Sequence, residues 1–322
     1  MRIAKIPTTV VTGFLGAGKT TLVNHLLRHA DAGAIGIIVN EFGEVGIDGG
    51  LIVANEEAVV EINNGCVCCT VRGDLVASAE ALLNRPGWTP ERLIVETSGL
   101  ADPAPVLQTF LADPTIRERF ALESVVTVVD AHHFAEQVED DIAREQVVFA
   151  DRIVINKADL VDAGTLAALD RHVHALNPAA AVERARHAEV PAERLLGTRS
   201  FSLDHLLALE PDLLDDGAHD HVHDRSIDSC AFVVPGDLDP ARFQRWANQL
   251  VQAQGRDLMR TKGILSIRGE ARRLHFHSVH MLMDTAFGKP WQAQGPRETR
   301  FVAIGRHLDP AALRAGLASC VA

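Results

Sequence analysis

The sequence is poor in several features that would assign it to other classes of protein. Only five of its 322 residues are cysteine, and aromatic side chains make up 5%. No apolar run approaches the roughly 20 residues that a membrane-spanning helix needs. Basic side chains number 31 against 43 acidic ones, for a formal net charge of −12. This charge balance argues against a broad surface for nucleic acid or for an anionic membrane.

The composition that remains is typical of an α/β protein. Hydrophobic residues make up 47% of the chain, and because few are aromatic, we expect an aliphatic core of buried parallel strands. The length suits about two domains. Three of the five cysteines fall within four positions, which is not a disulfide framework. The first residues run directly into a predicted strand and do not resemble a signal peptide, so we expect a soluble, cytoplasmic protein.

A glycine-rich run near the N-terminus organises the rest of the chain. Residues 13–20 read GFLGAGKT, which matches G-x-x-x-x-G-K-T. The apolar segment Ile6–Val11 predicts a strand before this run, and apolar residues at helical spacing follow it, which is the context the motif requires. Backbone N–H groups of such a loop and the helix N-terminus hold phosphate. The predicted nucleotide contacts are Gly13, Gly16, Ala17, Gly18, Lys19, Thr20 and Thr21.

A second phosphate-side element follows the buried strand predicted at Leu93–Val95. The strand ends in Glu-Thr-Ser-Gly, so an acid closes it and a glycine follows three residues later. Glu96 would hold magnesium through water, and the Gly99 N–H would contact the γ-phosphate. Lys19 would reach the β- and γ-phosphates, and the Thr20 hydroxyl would ligate magnesium. We assign catalytic roles to Lys19, Thr20 and Glu96, and no side chain stands out as a general base.

The motif N-K-x-D predicts that the base is guanine. It follows an apolar strand at Ile153–Ile155 and consists of Asn156, Lys157 and Asp159, with Ala158 between them. An aspartate carboxylate accepts hydrogen bonds from both N1–H and the N2 amine of guanine. Adenine lacks both donors, so a site built for them rejects it. The motif therefore favours GTP and GDP over the adenine nucleotides.

Cys66, Cys68 and Cys69 form a C-x-C-C cluster. Thiolates are soft ligands that suit zinc or a similar transition metal. The chain lacks the paired C-x-x-C units of a closed structural zinc site, so one coordination position stays open or takes a ligand such as Glu41 or a histidine. That arrangement suits a metal that must leave again. Three small buried apolar residues, or a redox dithiol, are the alternatives, and we favour the metal site.

Two polar segments permit two interpretations each. The acidic, glycine-rich stretch Glu41–Gly50 is either the first switch of a GTPase or an ordinary surface loop. The stretch 213–226 carries three histidines at alternate positions, which either capture a metal transiently or belong to a solvated tether. We favour the tether, and thus a linker. These histidines are His219, His221 and His223.

The C-terminal part of the chain predicts a small α+β domain. Strand-like runs such as Ile264–Ile267 alternate with helices. Two helices should begin at Asp239-Pro240 and Asp309-Pro310, because Asp caps a helix and Pro suits its first turn. The overall prediction is an α/β P-loop NTPase domain with a mostly parallel sheet, followed by this smaller domain. Its boundaries are 1–212 for the nucleotide domain, 213–226 for the linker and 227–322 for the C-terminal domain.

With these motifs in this order, the chain resembles the CobW-like GTPases, in the P-loop class that includes the urease and hydrogenase nickel-insertion GTPases. Residues 63–69 resemble the family's signature cysteine loop. Glu96 fits the family's variant of the Walker B motif, in which an acidic residue ends the strand. Residues 262–265, 279–281 and 300–306 resemble its C-terminal domain. The resemblance implies slow GTP hydrolysis, a zinc or cobalt site near the switches and delivery of metal to a client. It also implies that Glu41 joins the metal or magnesium shell.

These observations lead to one hypothesis and two alternatives. The hypothesis is a GTP-hydrolysing metallochaperone that uses GTP, magnesium and zinc, with cobalt as a second candidate. Its partners would be a transition metal ion and a client metalloprotein, without nucleic acid or membrane, and a homodimer is left open. One alternative is a small-molecule kinase with structural zinc, which needs no N-K-x-D. The other is a non-catalytic regulator switched by GTP. The metal-binding residues would be Cys66, Cys68, Cys69, Thr20 and Glu41.

Replacing Asp159 by Asn should change the base that the site prefers. The amide of Asn offers a donor where guanine also presents one, whereas xanthine presents a carbonyl oxygen there. We therefore expect Asp159→Asn to bind GTP more weakly and xanthosine triphosphate more tightly than the parent in competition binding. Unchanged GTP affinity would mean that the base site lies elsewhere.

Overall fold

The computed structural model describes most of the chain. The described residues are 4–29, 33–42, 59–64, 71–197, 227–292 and 295–322. They divide into two compact units, of which the first contains the described residues up to Arg171 and those from Ala180 to 197. The second contains His172–Ala179 and the described residues from 227 onward. The predicted linker, 213–226, lies outside the described residues, so the domain boundaries stay predictions.

The N-terminal unit is built on a parallel sheet. Its described strands are β1 (Ile6–Thr12), β2 (Ile35–Phe42), β3 (Val59–Asn64), β4 (Arg92–Glu96), β5 (Phe120–Asp130), β6 (Arg152–Asn156) and β7 (Ala181–Arg184). They form a seven-stranded sheet in the order β3-β2-β4-β1-β5-β6-β7. Every pairing between neighbours is parallel. This confirms the predicted α/β class with a parallel sheet.

Parallel strands require crossover connections, and helices supply those that the structure describes in full. The described helices of this part of the chain are α1 (Lys19–His29), α2 (Val71–Leu83), α3 (Ala104–Ala112), α4 (Pro114–Arg119), α5 (Phe134–Gln137), α6 (Asp141–Val148), α7 (Ala163–Leu176) and α8 (Ala192–Leu195). A single 3₁₀ turn, Ala158–Leu160, follows β6.

An aliphatic core fixes the first helix against the sheet. Leu22 and Leu26 of α1 belong to the same buried cluster as Val11 of β1 and Ile94 of β4. The strands read as continuous apolar runs because they are buried on both faces, and the last eight residues of β5 are all buried. The sequence expectation of an aliphatic core therefore holds for this unit.

The strand order brings the predicted motifs together. β4, β1, β5 and β6 are consecutive neighbours in the sheet. The glycine-rich loop follows β1, Glu96 ends β4, and Asn156 ends β6. Because the strands are parallel, these segments all leave the sheet at its carboxyl edge, where ligands bind in open α/β folds. Asp130, the last residue of β5, lies at the same edge.

The C-terminal unit contains a second, antiparallel sheet. Its strands are β8 (Asp228–Pro235), β9 (Leu258–Leu265), β10 (Arg272–Val279), β11 (Leu282–Pro290) and β12 (Glu298–Gly305), with helices α9 (Pro240–Gln254) and α10 (Pro310–Ala318). The five strands have the order β11-β10-β9-β12-β8. Adjacent strands are antiparallel throughout. This confirms the predicted α+β class of the second domain.

Both predicted helix starts occur where the sequence placed them. The Asp239 carboxylate accepts hydrogen bonds from two backbone N–H groups in the first turn of α9, each at 3.0 Å. The Asp309 carboxylate caps α10 in the same way, at 3.0 Å. The strand expected at Ile264–Ile267 instead begins at Leu258. Its first half was missed because Arg260 and Lys262 interrupt the apolar pattern, although both are buried.

Among the described helices, none has both the length and the apolar character that crossing a bilayer requires.

Candidate functional site

Packing explains why the loop between β1 and α1 is glycine-rich. Gly13, Gly16 and Gly18 all have positive φ, at 139°, 73° and 105°. A Cβ on Gly13 would lie 2.2 Å from the Val128 carbonyl oxygen of β5. A Cβ on Gly18 would lie 2.4 Å from the side-chain nitrogen of Asn156. The loop thus packs closely against β5 and β6.

Lys19 and Thr20 open α1 with their polar atoms directed toward the loop and β4. Lys19 is only 7% exposed, and its Nζ donates a hydrogen bond to the Phe14 carbonyl at 3.2 Å. The Thr20 hydroxyl donates to Glu96 Oε1 at 2.7 Å, and Glu96 is 1% exposed. The structure therefore brings the predicted catalytic residues together. Hydroxyl and carboxylate oxygens are the hard donors that Mg²⁺ takes, so this pair fits that ion.

Ala17 and Thr21, which are also predicted to contact the nucleotide, differ in burial. Ala17 is fully buried, and its carbonyl faces β6, as described below. Thr21 is exposed on the first turn of α1.

Gly99 lies directly against the phosphate loop. A Cβ at this position would come within 2.8 Å of the Leu15 backbone nitrogen, so only glycine permits the contact. Gln146 of α6 holds the same segment, because its Nε2 donates to the Gly99 carbonyl at 3.1 Å and to the Ala101 carbonyl at 3.2 Å. Sequence reasoning missed Gln146, since nothing near it in the sequence marks a site.

Asn156 connects the phosphate loop to the base side. Its Nδ2 donates to the Ala17 carbonyl at 2.9 Å, and its Oδ1 accepts from the Ala188 backbone N–H at 2.7 Å. Both ends of the amide are thus engaged within the protein. Asn156 therefore joins two loops, and of the N-K-x-D residues the predicted contact with the base falls to Asp159.

Asp159 lies in the 3₁₀ turn after β6, beside a segment that sequence reasoning did not single out. The Arg186 Nε is 3.5 Å from its Oδ2. The Ala158 N–H donates to the Ala185 carbonyl at 3.1 Å. His187 and Ala188 have φ of 52° and 57°. No glycine marks this left-handed turn, so the sequence carried no signal for it.

Lys157 is paired with the end of β5. Its Nζ donates to Asp130 Oδ2 at 2.7 Å. Asp130 is 1% exposed, and its carboxylate also accepts from the His132 N–H at 2.9 Å and faces His133 Nδ1 at 3.0 Å. Burial raises the pKa of Asp130, but the hydrogen bonds from Lys157, His133 and His132 outweigh it and hold that pKa below its ordinary value. The group is therefore a buried carboxylate.

The predicted transition-metal site falls almost entirely outside the described residues. Cys66, Cys68 and Cys69 are not described, nor are His219, His221 and His223. Glu41 belongs to β2, where its backbone is paired with that of Asn63 on β3. Asn63 precedes Cys66 by three residues in the sequence, so the backbone of Glu41 is paired with the end of the strand that comes before the cysteines. In the described parts of the chain, no three His, Cys, Asp or Glu side chains form a metal cluster.

The other two cysteines are poor candidates for thiolate ligands. Burial raises the pKa of the Cys230 thiol to about 12. Burial also raises the pKa of Cys320. A metal ligand must be the thiolate, so burial makes both groups harder to deprotonate for metal binding than an ordinary cysteine.

Comparison with known proteins gives matches along nearly the whole chain. Residues 7–184 match the CobW/HypB/UreG nucleotide-binding domain, and residues 227–321 match the cobalamin synthesis protein CobW C-terminal domain. The zinc chaperone CobW of Sinorhizobium sp is 35% identical, with 98% of each chain covered. The zinc chaperone YjiA of Escherichia coli K12 is 34% identical, covering 97% of this chain and 98% of YjiA.

A solved structure agrees with the sequence comparison. The crystal structure of Zn(II)-bound YjiA GTPase from E. coli superposes with a TM-score of 0.76 at 28% identity. The superposition covers 99% of this chain and 100% of that one. The similarity therefore extends over both parts of the chain.

Gly18→Ala should weaken nucleotide binding more than Gly16→Ala does. Both replacements put a side chain at positive φ, but only the methyl at Gly18 meets Asn156, at 2.4 Å, while the position at Gly16 has no atom within 4 Å. The Gly18 variant must therefore also displace the amide that holds Ala17. Calorimetric titration with GDP checks this, and equal losses in the two variants would contradict it.

Proposed function

The chain belongs to the CobW/HypB/UreG family, and from that premise we propose that it is a zinc chaperone whose metal binding is governed by GTP binding and hydrolysis. The observation that carries the proposal is the meeting of the three nucleotide motifs at one edge of the parallel sheet. The relatives' own descriptions as zinc chaperones and as a GTPase support it. We further propose the cytoplasm as its location, because thiolate ligands persist in a reducing compartment.

The proposed phosphate site consists of the loop backbone with Lys19. The loop N–H groups would donate to the phosphate oxygens, the Lys19 ammonium would offset the charge of the β- and γ-phosphates, and the Gly99 N–H would contact the γ-phosphate. Thr20 and Glu96 would hold magnesium, which when bound supplies further neutralisation of phosphate charge. No acidic or histidine side chain is assigned as a general base. We therefore propose slow hydrolysis that depends on positioning and on charge neutralisation.

The proposed zinc site is the C-x-C-C loop with Glu41. The register of β2 and β3 supports this assignment, because it pairs the backbone of Glu41 with the end of the strand that comes before the cysteines. Burial of Cys230 and Cys320 supports it further, because it raises the pKa of both thiols and so disfavours the thiolate form that binds metal. Zinc is the cargo, and cobalt is a second metal that such ligands accept.

Two alternatives make different predictions. A small-molecule kinase would need an acceptor site and no guanine preference. Asp159, in the turn after β6, supports a guanine preference because its carboxylate suits the donors of that base. A non-catalytic switch protein would bind its partner without metal. Hydrolysis of GTP compared with ATP tests the kinase alternative, and partner binding measured with and without zinc tests the switch protein.

Lys19→Ala should abolish GTP hydrolysis, because it removes the charge that meets the β- and γ-phosphates. Lys19 is buried and bonded to Phe14, so some loss of thermal stability is also expected. Phosphate release measured at a temperature where circular dichroism shows both proteins folded checks this prediction. Hydrolysis at the parent rate would exclude the P-loop from the reaction.

GTP and zinc should strengthen each other's binding. In the sequence, the cysteine loop lies between the predicted first switch, Glu41–Gly50, and the segment Glu96–Gly99. A bound γ-phosphate would order both of these segments. Linkage requires the effect to be reciprocal, and such couplings are typically about 1–3 kcal/mol, or roughly five- to a hundredfold in affinity. Zinc affinity is measured by chelator competition in the nucleotide-free, GDP and non-hydrolysable GTP states. Equal affinity in the three states would exclude GTP-controlled delivery.

Cysteine variants provide the control for this measurement. Replacing Cys66, Cys68 and Cys69 by Ser should remove both the tight site and its coupling to GTP. Cys230→Ala should leave both unchanged, as should replacing the three linker histidines. If the Cys230 variant lost zinc and the triple variant kept it, the assignment of the site would be wrong.

A further inference from the structure

We propose that Asp130 is a positioning residue for guanine recognition: it holds Lys157 and thereby sets the turn that presents Asp159 to the base. This inference rests on the proposed function, since it presumes a guanine nucleotide. Asp130 belongs to none of the nucleotide motifs.

The ends of two neighbouring strands put Asp130 beside the base motif. Asp130 of β5 is paired in register with Asn156 of β6. The next residue, Ala131, donates its backbone N–H to the Asn156 carbonyl at 3.0 Å. The chain after β6 therefore turns immediately next to the Asp130 carboxylate. The partner that this carboxylate takes there is the Lys157 ammonium, at 2.7 Å.

The chain changes direction at Lys157, between the end of β6 and the 3₁₀ turn. Its φ of 57° lies in the left-handed region, which is uncommon for a residue with a side chain. It is also the N-cap of the 3₁₀ turn Ala158–Leu160, and its side chain makes no capping hydrogen bond. The dihedral angles of Lys157 therefore decide where Asp159 points. The bond to Asp130 is the side-chain contact that stabilises this conformation.

The other charged group near Asp159 is less suited to this role. Arg186 lies 3.5 Å from Asp159, and its side chain is largely exposed. Exposed ion pairs contribute little because water screens them. The Asp130 carboxylate, in contrast, is buried, so its pairing with Lys157 is screened much less.

Two histidines share the carboxylate and define a competing explanation. The His132 N–H bonds to Oδ1, and an Asn at position 130 would keep an oxygen there to accept it. His133 Nδ1 faces Oδ2, the oxygen that also binds Lys157, but its ring is about half exposed. If Asp130 acted through His133, removing that ring would have the same effect as removing the carboxylate.

The first experiment compares GDP with ADP on the full chain. GDP reports base and phosphate contacts together, while ADP reports the phosphate contacts in the absence of the guanine donors. We expect Asp130→Asn to lower GDP affinity roughly tenfold, as for loss of a hydrogen bond to a charged group, and to leave ADP affinity unchanged. The preference for GDP over ADP then falls by the same factor. A preference equal to that of the parent would overturn the proposal.

Asp151→Asn is the matched control. Asp151 is 2% exposed, and its carboxylate accepts the Val125 N–H at 2.7 Å, before β6 begins and away from the carboxyl edge of the sheet. This variant should lose thermal stability and keep the ratio of GDP to ADP affinity. Loss of the ratio in both variants would mean that Asp130 has only a structural role.

A double-mutant cycle tests the route through Lys157. Lys157→Met removes the ammonium and keeps the apolar stem. If Asp130 acts through Lys157, the double variant should lose no more GDP preference than Asp130→Asn alone. Additive losses would overturn the proposal, as would a loss in His133→Ala equal to that in Asp130→Asn. If Asp130→Asn fails to fold, an unchanged preference in Lys157→Met overturns the proposal equally.

The parent protein separates this inference from the proposed function. A parent that does not prefer GDP to ADP overturns both. A parent that prefers GDP, with the preference retained in Asp130→Asn, overturns the positioning role alone.

Discussion

The amide of Asn156 is the interaction on which the nucleotide site depends. One end of it holds the carbonyl of Ala17 in the phosphate loop, and the other holds the backbone of Ala188 after β7. The loop approaches so closely that Gly18 has no room for a Cβ beside this amide. A single side chain thus joins the glycine-rich loop to the segment after β7, because its two polar ends bind two segments of backbone.

Three buried charged side chains at this edge of the sheet each make a hydrogen bond within the protein. Glu96 accepts the Thr20 hydroxyl, Lys19 donates to the Phe14 carbonyl, and Asp130 binds Lys157. Burying an ionised group is costly unless hydrogen bonds compensate, so such groups persist where the surrounding structure fixes them. A site arranged in this way needs little rearrangement to receive a charged phosphate, which suits a reaction that relies on positioning.

Aromatic rings form a cluster in the core of the C-terminal unit. The N-terminal sheet is packed with Val, Ile and Leu, as its position between helices requires. In the C-terminal unit, Phe232, Phe276 and Phe301 stack on one another, with centroids 5.6 and 6.0 Å apart for the pairs that include Phe301. An antiparallel sheet with helices on it buries large rings readily, so these rings contribute much of the core of the C-terminal unit. The N-terminal unit also buries aromatic rings, namely Phe110, Phe120, Phe134 and Phe149.

The sequence by itself determined the features that depend on neighbouring residues. The P-loop, the acidic end of β4, the N-K-x-D turn and both Asp-Pro helix starts were readable because their chemistry lies within a few consecutive positions. Only the tertiary structure decided which groups complete the site. Lys157 and Asp130 are 27 residues apart, Asn156 and Ala188 are 32, and Asn156 and Ala17 are 139. No periodicity or local motif encodes such pairs, because they arise from the order in which parallel strands assemble.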